Sequence, residues 1–255
     1  MQPKSRCWSV MCSVFVLGST VASAKSPEDY AVDLKDYVLS PLHWDARDWG
    51  WAGAAALGVT AAYALDNQVR DHFAVAGVRT QSEPHSARDA APLGVLLLGG
   101  FALEKLGSDK SLSHLGMDMG ESVVLAAVSA EALKLVAGRR RPFETGSRSD
   151  FRSGGDSFPS LHASAAFAAA QVFADRLPQD EWGWRVLAYG LAGATAYARL
   201  DSNMHWFSDT VAGAALGIAT GRFVSGRAKD EHSRLSYWVT PLDRGALVTF
   251  NVNVN

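Results

Sequence analysis

Six long apolar segments, none of them strand-like, set the outer limits of this fold. They run from Trp49 to Leu65, Pro92 to Leu106, Met119 to Val136, Ser160 to Leu177, Trp182 to Leu200 and His205 to Val224. Each is about 15 to 20 residues long, three times the length of an ordinary strand. Alanine and leucine dominate them, and both favour the helix. Breakers separate them: Glu83-Pro84, Gly107-Ser108, the stretch from Gly138 to Gly155, and Pro178. The expected fold class is therefore all-α, a helical bundle of about six core helices. Gly190, Gly193, Gly213 and Gly217 fall inside helical stretches. Glycine there weakens a helix by roughly 1 kcal/mol relative to alanine, and close helix approach is the expected compensation.

The ends differ from this middle. Lys4 and Arg6, the apolar run from Cys7 to Val21, and Ala22-Ser23-Ala24 together read as a secretory signal peptide over residues 1–24. Cys7 and Cys12 are the chain's only cysteines, and both lie in that segment. The mature protein is then exported and uses neither a disulfide nor a thiol. Residues 25–48 read as a polar arm, in which Ser40-Pro41 stops any helix near Asp36 to Leu39. Leu235 to Thr240 and Ala246 to Val252 are rich in strand formers, with Pro241 to Gly245 between them. Alternation of Val248, Phe250 and Val252 with other residues suggests a short C-terminal β-hairpin in the extended tail, residues 229–255.

Charge narrows the partners. The net charge of -2 gives no reason to expect a nucleic-acid partner. A mean hydropathy of zero lies between soluble and membrane chains. Only Trp49 to Leu65 approaches a spanning segment without a charge; Glu104, Lys105, Glu121, Glu131 and Lys134 interrupt the next two. This tilts the reading toward a bundle beside a membrane rather than in it, with association at a membrane surface left open. No oligomeric state is read from the sequence.

Three polar clusters stand out from the packing residues. In the first, Lys134 lies late in an apolar helix, and Arg139, Arg140, Arg141 and Pro142 follow Gly138. Three adjacent arginines repel one another without an anion or acidic partner; such a run is a solvated loop or a phosphate cradle. In the second, Ser160 follows Phe158-Pro159 at the start of an alanine-rich helix, with Leu161 and His162 in its first turn. A helix start presents N–H groups to an anion. In the third, Arg199 precedes His205 and Asp209, which are expected to share a face at the start of the last helix. A carboxylate so placed can orient an imidazole as nucleophile or base, or the two can form a plain surface pair. His162, His205 and Asp209 could be read as metal ligands, but Lys134, Arg141 and Arg199 would then surround a cation. No paired-carboxylate or zinc motif is present, so no metal is expected.

In this order and spacing the clusters resemble the type 2 phosphatidic acid phosphatase and vanadium haloperoxidase superfamily, the PAP2 family. Its pattern is Lys, six residues, Arg-Pro; then Pro-Ser-Gly-His; then Ser-Arg, five residues, His, three residues, Asp. Lys134 with Arg141-Pro142, Pro159-Ser160 with His162, and Arg199 with His205 and Asp209 match it. Leu161 stands where the family has glycine, and Ala198 where it has serine; neither change removes an atom the chemistry requires. The resemblance covers roughly residues 90–224 and implies a helical phosphatase domain over residues 49–228. It implies cofactor-free hydrolysis of phosphate monoesters or lipid (pyro)phosphates through a covalent phosphohistidine. His205 would be the nucleophile, Asp209 its orienting group and His162 the acid and then base. Lys134, Arg141, Arg199, Ser160 and the Leu161 N–H would hold the phosphoryl oxygens. The partner would be a phosphorylated small molecule or a lipid phosphate, met in a bacterial cell envelope, with a periplasmic soluble or peripheral protein favoured over an integral one. A non-catalytic phospholipid-binding bundle and a vanadate-dependent haloperoxidase are the alternatives.

Overall fold

The computed structural model describes residues 27–75, 87–106, 112, 114–178, 180–242 and 245–252. The segment read as a signal peptide lies outside them. The described residues up to Ser40 belong to one unit, in which α1 (Pro27–Leu39) is followed by a hydrogen bond from the Ser40 hydroxyl to the Tyr37 carbonyl at 2.8 Å. The stretch read as a polar arm is thus helical over most of its length.

The second unit, from Pro41 onward, holds the bundle. Its helices are α2 (Ala46–Val75), α3 (Ala87–Leu106), α4 (Leu115–Ala137), α5 (Leu161–Arg176), α6 (Trp182–Asp201) and α7 (Phe207–Arg234). These correspond one to one with the six apolar segments, so the bundle itself is all-α. The helices outrun the segments where polar residues continue them. α2 starts early because Asp45 caps it: its Oδ1 accepts the N–H groups of Arg47 and Asp48 at 2.8 and 2.9 Å. α7 continues ten residues past Val224 through a charged stretch that no apolar pattern marks. Two antiparallel strands follow, β1 (Leu235–Leu242) and β2 (Gly245–Val252), in register from Leu235 opposite Val252 to Leu242 opposite Gly245.

α5 is the centre of the bundle and touches α3, α4, α6 and α7. Its alanines 163, 165, 166, 168, 169 and 170 are all buried, as are Val172 and Phe173. Leu96, Leu115, Met119, Leu125, Ala188, Ala192 and Val224 complete the core from the surrounding helices. A helix sheathed in methyl groups can be approached closely, and α7 does so through small residues. A Cβ added at Gly213 would stand 2.5 Å from the Ser160 carbonyl, and one at Gly217 would stand 2.3 Å from the Ser164 carbonyl. Gly221, one turn on, meets Gln171 and the Ala168 carbonyl. Gly190 and Gly193, expected to serve the same purpose, have nothing within 4 Å. Of the four expected glycines, only the two on α7 mark a close approach.

This contact draws together the N-terminal ends of α5 and α7, where the second and third clusters lie. Gly217→Ala should lower stability by about 2 kcal/mol, the overpacking strain exceeding the gain in helix propensity. Gly190→Ala, facing open space, should leave stability unchanged or raise it by up to about 1 kcal/mol. Thermal melts of the two variants side by side check this; equal midpoints would contradict the packing account.

Among the described residues no helix is long and apolar enough to cross a membrane. The outer helix faces nonetheless expose large apolar side chains, including Leu57, Leu98, Leu135 and Trp182.

Candidate active site

α4 ends abruptly. Gly138 takes a left-handed conformation (φ 53°), and its N–H closes on the Lys134 carbonyl at 2.8 Å. The chain leaves the helix there, and each of the three arginines that follow meets a different acid. Arg139 pairs with Asp66 and Asp209 at 2.7 and 2.5 Å. Arg140 lies 3.9 Å from Asp150 at the surface. Arg141 makes a two-pronged pair with Asp156, Nε and Nη2 donating at 2.7 and 2.8 Å. The arginine run is therefore neither a bare solvated loop nor three equivalent anion ligands.

Arg139 goes furthest inward and is fully buried. It also donates to the Ser208 hydroxyl at 2.8 Å and to the Arg148 carbonyl, and its guanidinium lies among the rings of Tyr63, Phe151 and Trp206. Asp66, from the middle of α2, accepts from the Ser208 N–H and hydroxyl at 2.8 and 2.7 Å. The network thus fastens α2, the end of α4 and the start of α7 to one another.

Asp209 is the member of that network nearest His205. Its Oδ1 takes Arg139; its Oδ2 takes the Ser157 hydroxyl at 2.5 Å and the Trp206 N–H at 2.9 Å. The last contact is the reach-back of a capping box, because Trp206 precedes the first residue of α7. Burial pushes the Asp209 carboxyl up, but the adjoining His205, the Arg139 charge and the Ser157 hydroxyl outweigh it and hold Asp209 below the usual carboxylate range. It is a fixed carboxylate.

His205 does not share a helix face with Asp209, contrary to the expectation from their spacing. It stands in the turn two residues before α7, and it reaches Asp209 because Asp209 folds back over the helix start. Its Nδ1 lies 2.7 Å from the Ser157 carbonyl and 3.7 Å from Asp209 Oδ2. A carbonyl only accepts, so Nδ1 carries the proton and Nε2 keeps its lone pair. Desolvation dominates the titration of this ring: despite the favourable Asp209 charge, its pKa falls to about 4, helped by the positive charges of Arg141 and Arg199. At neutral pH His205 is an uncharged imidazole with a defined tautomer.

Arg199 lies two residues inside the C-terminal end of α6 and is buried. Ser160 sits at the position before α5; its N–H donates to the Asp209 carbonyl at 3.0 Å, which ties the second cluster to the third. Its hydroxyl makes no capping bond and is buried with no protein partner. Leu161 and His162 open α5 and are half-buried. Lys134 is buried near the C-terminal end of α4 and pairs with Glu131 at 2.7 Å. Lys134, Arg141 and His205 all lie close enough to act electrostatically on the Asp156 carboxyl, so the four occupy one neighbourhood. Among the described residues no group of three histidines, cysteines or acids is arranged to hold a metal ion.

Asp66, Ser157 and Ser208 are not legible as site residues in the sequence, and Arg139 is visible there only as one member of the arginine run. Asp66 follows a charge-free run and resembles a helix-surface acid; only the fold brings it to Arg139. Glu131 could have been found, since it lies three residues before Lys134 on the same helix face.

Residues 115–231 match the model of the PAP2 superfamily. The chain is also similar to the lipid A 1-phosphatase of Porphyromonas gingivalis, 29% identical over 147 residues. That alignment covers 58% of this chain and 28% of the relative, so the chain spans under a third of that protein's length. No solved structure matches. The matched stretch contains Lys134, the arginine run, the α5 start and the His205–Asp209 pair, and over residues 115–231 the chain belongs to the PAP2 superfamily.

Proposed function

We propose that the protein is a phosphatase that cleaves phosphate monoesters, lipid phosphates among them, through a phosphohistidine on His205. The observation that carries this reading is the state of His205: buried, uncharged, with Nδ1–H held by the Ser157 carbonyl and the Nε2 lone pair left for attack. An uncharged imidazole beside fixed cations suits attack on a phosphoryl group, whose equatorial oxygens need positive charge around them.

In the first step Nε2 attacks phosphorus, the P–Nε2 bond forms and the bond to the leaving oxygen breaks. His162 supplies the proton to that oxygen. The imidazolium so formed keeps its Nδ1 proton on the Ser157 carbonyl, and the Asp209 carboxylate at 3.7 Å balances its charge. In the second step water attacks phosphorus, His162 takes its proton, and the P–Nε2 bond breaks to release inorganic phosphate. Lys134, Arg141, Arg199, the Ser160 hydroxyl and the Leu161 N–H receive the nonbridging oxygens. Three cationic side chains supply the charge a metal would otherwise bring, so the chemistry requires no cofactor.

Both the relative's name and the site support this substrate class. A relative named for lipid A 1-phosphate removal puts lipid phosphates beside small phosphomonoesters as candidates. The segment read as a signal peptide would deliver the enzyme to the cell envelope.

A panel of lipid phosphates and small phosphomonoesters, with and without vanadate, tests the reading. At least one class should be hydrolysed, vanadate should inhibit, and EDTA should not. The pH profile gives a sharper check. The free enzyme needs His205 uncharged, so kcat/KM should hold as pH falls below 6.5 and drop only near the His205 value of about 4. An acid limb at the ordinary histidine value, or no turnover of any phosphate ester, would overturn the assignment.

A further inference from the structure

Two of the three cationic side chains that would receive the phosphoryl group already hold carboxylates. Arg141 gives Nε and Nη2, the paired donors that suit two phosphate oxygens, to Asp156. Its remaining nitrogen, Nη1, faces only the Met204 sulfur at 3.6 Å, a weak acceptor. Lys134 gives its ammonium to Glu131 at 2.7 Å.

In both pairs the cation is inside and the acid outside. The Arg141 and Lys134 side chains are 12% and 10% exposed, whereas those of Asp156 and Glu131 are 59% and 54% exposed. Carboxylates so exposed can turn into water at small cost, and buried cations cannot follow. Asp156 can move only as a side chain, because the backbone on either side of it is tied down. The Gly155 N–H bonds the Gly138 carbonyl at 3.1 Å, and the Ser157 N–H bonds the Arg139 carbonyl at 2.9 Å. Gly155 itself is pressed against the Arg139 backbone, with 2.2 Å between an added Cβ and the carbonyl.

We propose that Asp156 and Glu131 are displaceable stand-ins for phosphoryl oxygens: they occupy Arg141 and Lys134 in the resting site and compete with every phosphoryl group that enters. The proposal rests on the phosphatase reading of the site and adds to it. The two acids hold the cations in place between turnovers, and they weaken the hold on inorganic phosphate, so that product leaves. They are specificity and positioning residues, acting through Arg141 and Lys134 rather than on the reacting atoms.

Asp156→Asn and Glu131→Gln, made separately in the full-length protein, test this through the inhibition constants of inorganic phosphate and vanadate. Each constant should fall by roughly twofold to fivefold, the scale of one partly exposed ion pair. Asp156→Glu, which keeps the carboxylate, should stay near wild type. A merely structural role predicts the opposite: weaker anion binding as Arg141 or Lys134 loses its support. Unchanged or raised inhibition constants in both variants would overturn the proposal. Should Asp156→Asn fail to fold, Glu131→Gln, on a different element, carries the same test. The two readings fail separately. Wild-type protein with neither turnover nor vanadate inhibition would remove the phosphatase assignment; wild-type turnover with no tightening in the variants would remove only the competition.

Discussion

His205→Ala should abolish turnover, with a loss on the order of 10³ to 10⁶ in kcat, while the protein stays folded. In the proposed mechanism the imidazole is the attacking group, and the residues around it would bind a phosphoryl group but could not replace its lone pair. The wild-type protein, mixed with a labelled phosphomonoester and quenched in base, should carry label on His205. The variant should carry none. Turnover with no adduct in the wild type would remove the covalent mechanism, and wild-type rates in the variant would remove His205 from the site. Loss of stability is not the expected cause of inactivity. The folded ring is driven to about 4 by burial, and the unfolded ring titrates near 6.5. The unfolded state therefore takes up a proton first as pH falls, and stability drops between those values by roughly 3 kcal/mol. Removing the ring should flatten that part of the stability profile.

Arg139→Ala should have the largest effect on stability. It would leave Asp66 and Asp209 buried without their shared cation, and breaking such a network costs about 3–5 kcal/mol. Urea denaturation at neutral pH measures this directly; a loss below about 1 kcal/mol would show that the network contributes little. Arg139→Lys keeps the charge but loses the fork that spans Asp66, Ser208 and Asp209. It should fold, lose less stability, and still lose activity, because Asp209 is held by Arg139 on one oxygen and by Ser157 on the other. The Asp209 carboxyl is held low by His205, Arg139 and Ser157 against the effect of burial. Its stabilising contribution is thus present above the ordinary carboxylate value and is lost as pH falls through the lower folded one. Both titrations act in one direction, and the wild-type protein should lose stability progressively on acidification from pH 6.5.

The close approach of α5 and α7 shows what could and could not be anticipated. Small residues within helices are visible in any sequence, but Gly190 and Gly213 look alike there. Only the packing tells them apart: one faces open space and the other the Ser160 carbonyl. His205 and Asp209 make the same point. A separation of four residues suggests a shared helix face, yet the helix begins between them, and the two meet because Asp209 turns back to cap Trp206. The arginine run carried a warning that was correct in kind, since three adjacent cations do need acids. It could not say which acid each would find, because Asp66, Asp150 and Asp156 come from different distances along the chain.

The sequence by itself determined the number and order of the bundle helices, because long alanine- and leucine-rich runs bounded by glycine and proline have no other way to satisfy their backbones at that length. It also determined the residue types of the site, since a spaced pattern of lysine, arginines, histidines and aspartate survives reading in one dimension. The tertiary structure alone decided how those groups are charged and held. Burial makes His205 neutral, a carbonyl 48 residues away fixes its tautomer, and an arginine drawn into the core pins its carboxylate neighbour. Desolvation and hydrogen-bond geometry are properties of surroundings, and the surroundings of His205 are assembled from α2, the end of α4, the turn before α5 and the start of α7, which meet only in the folded chain.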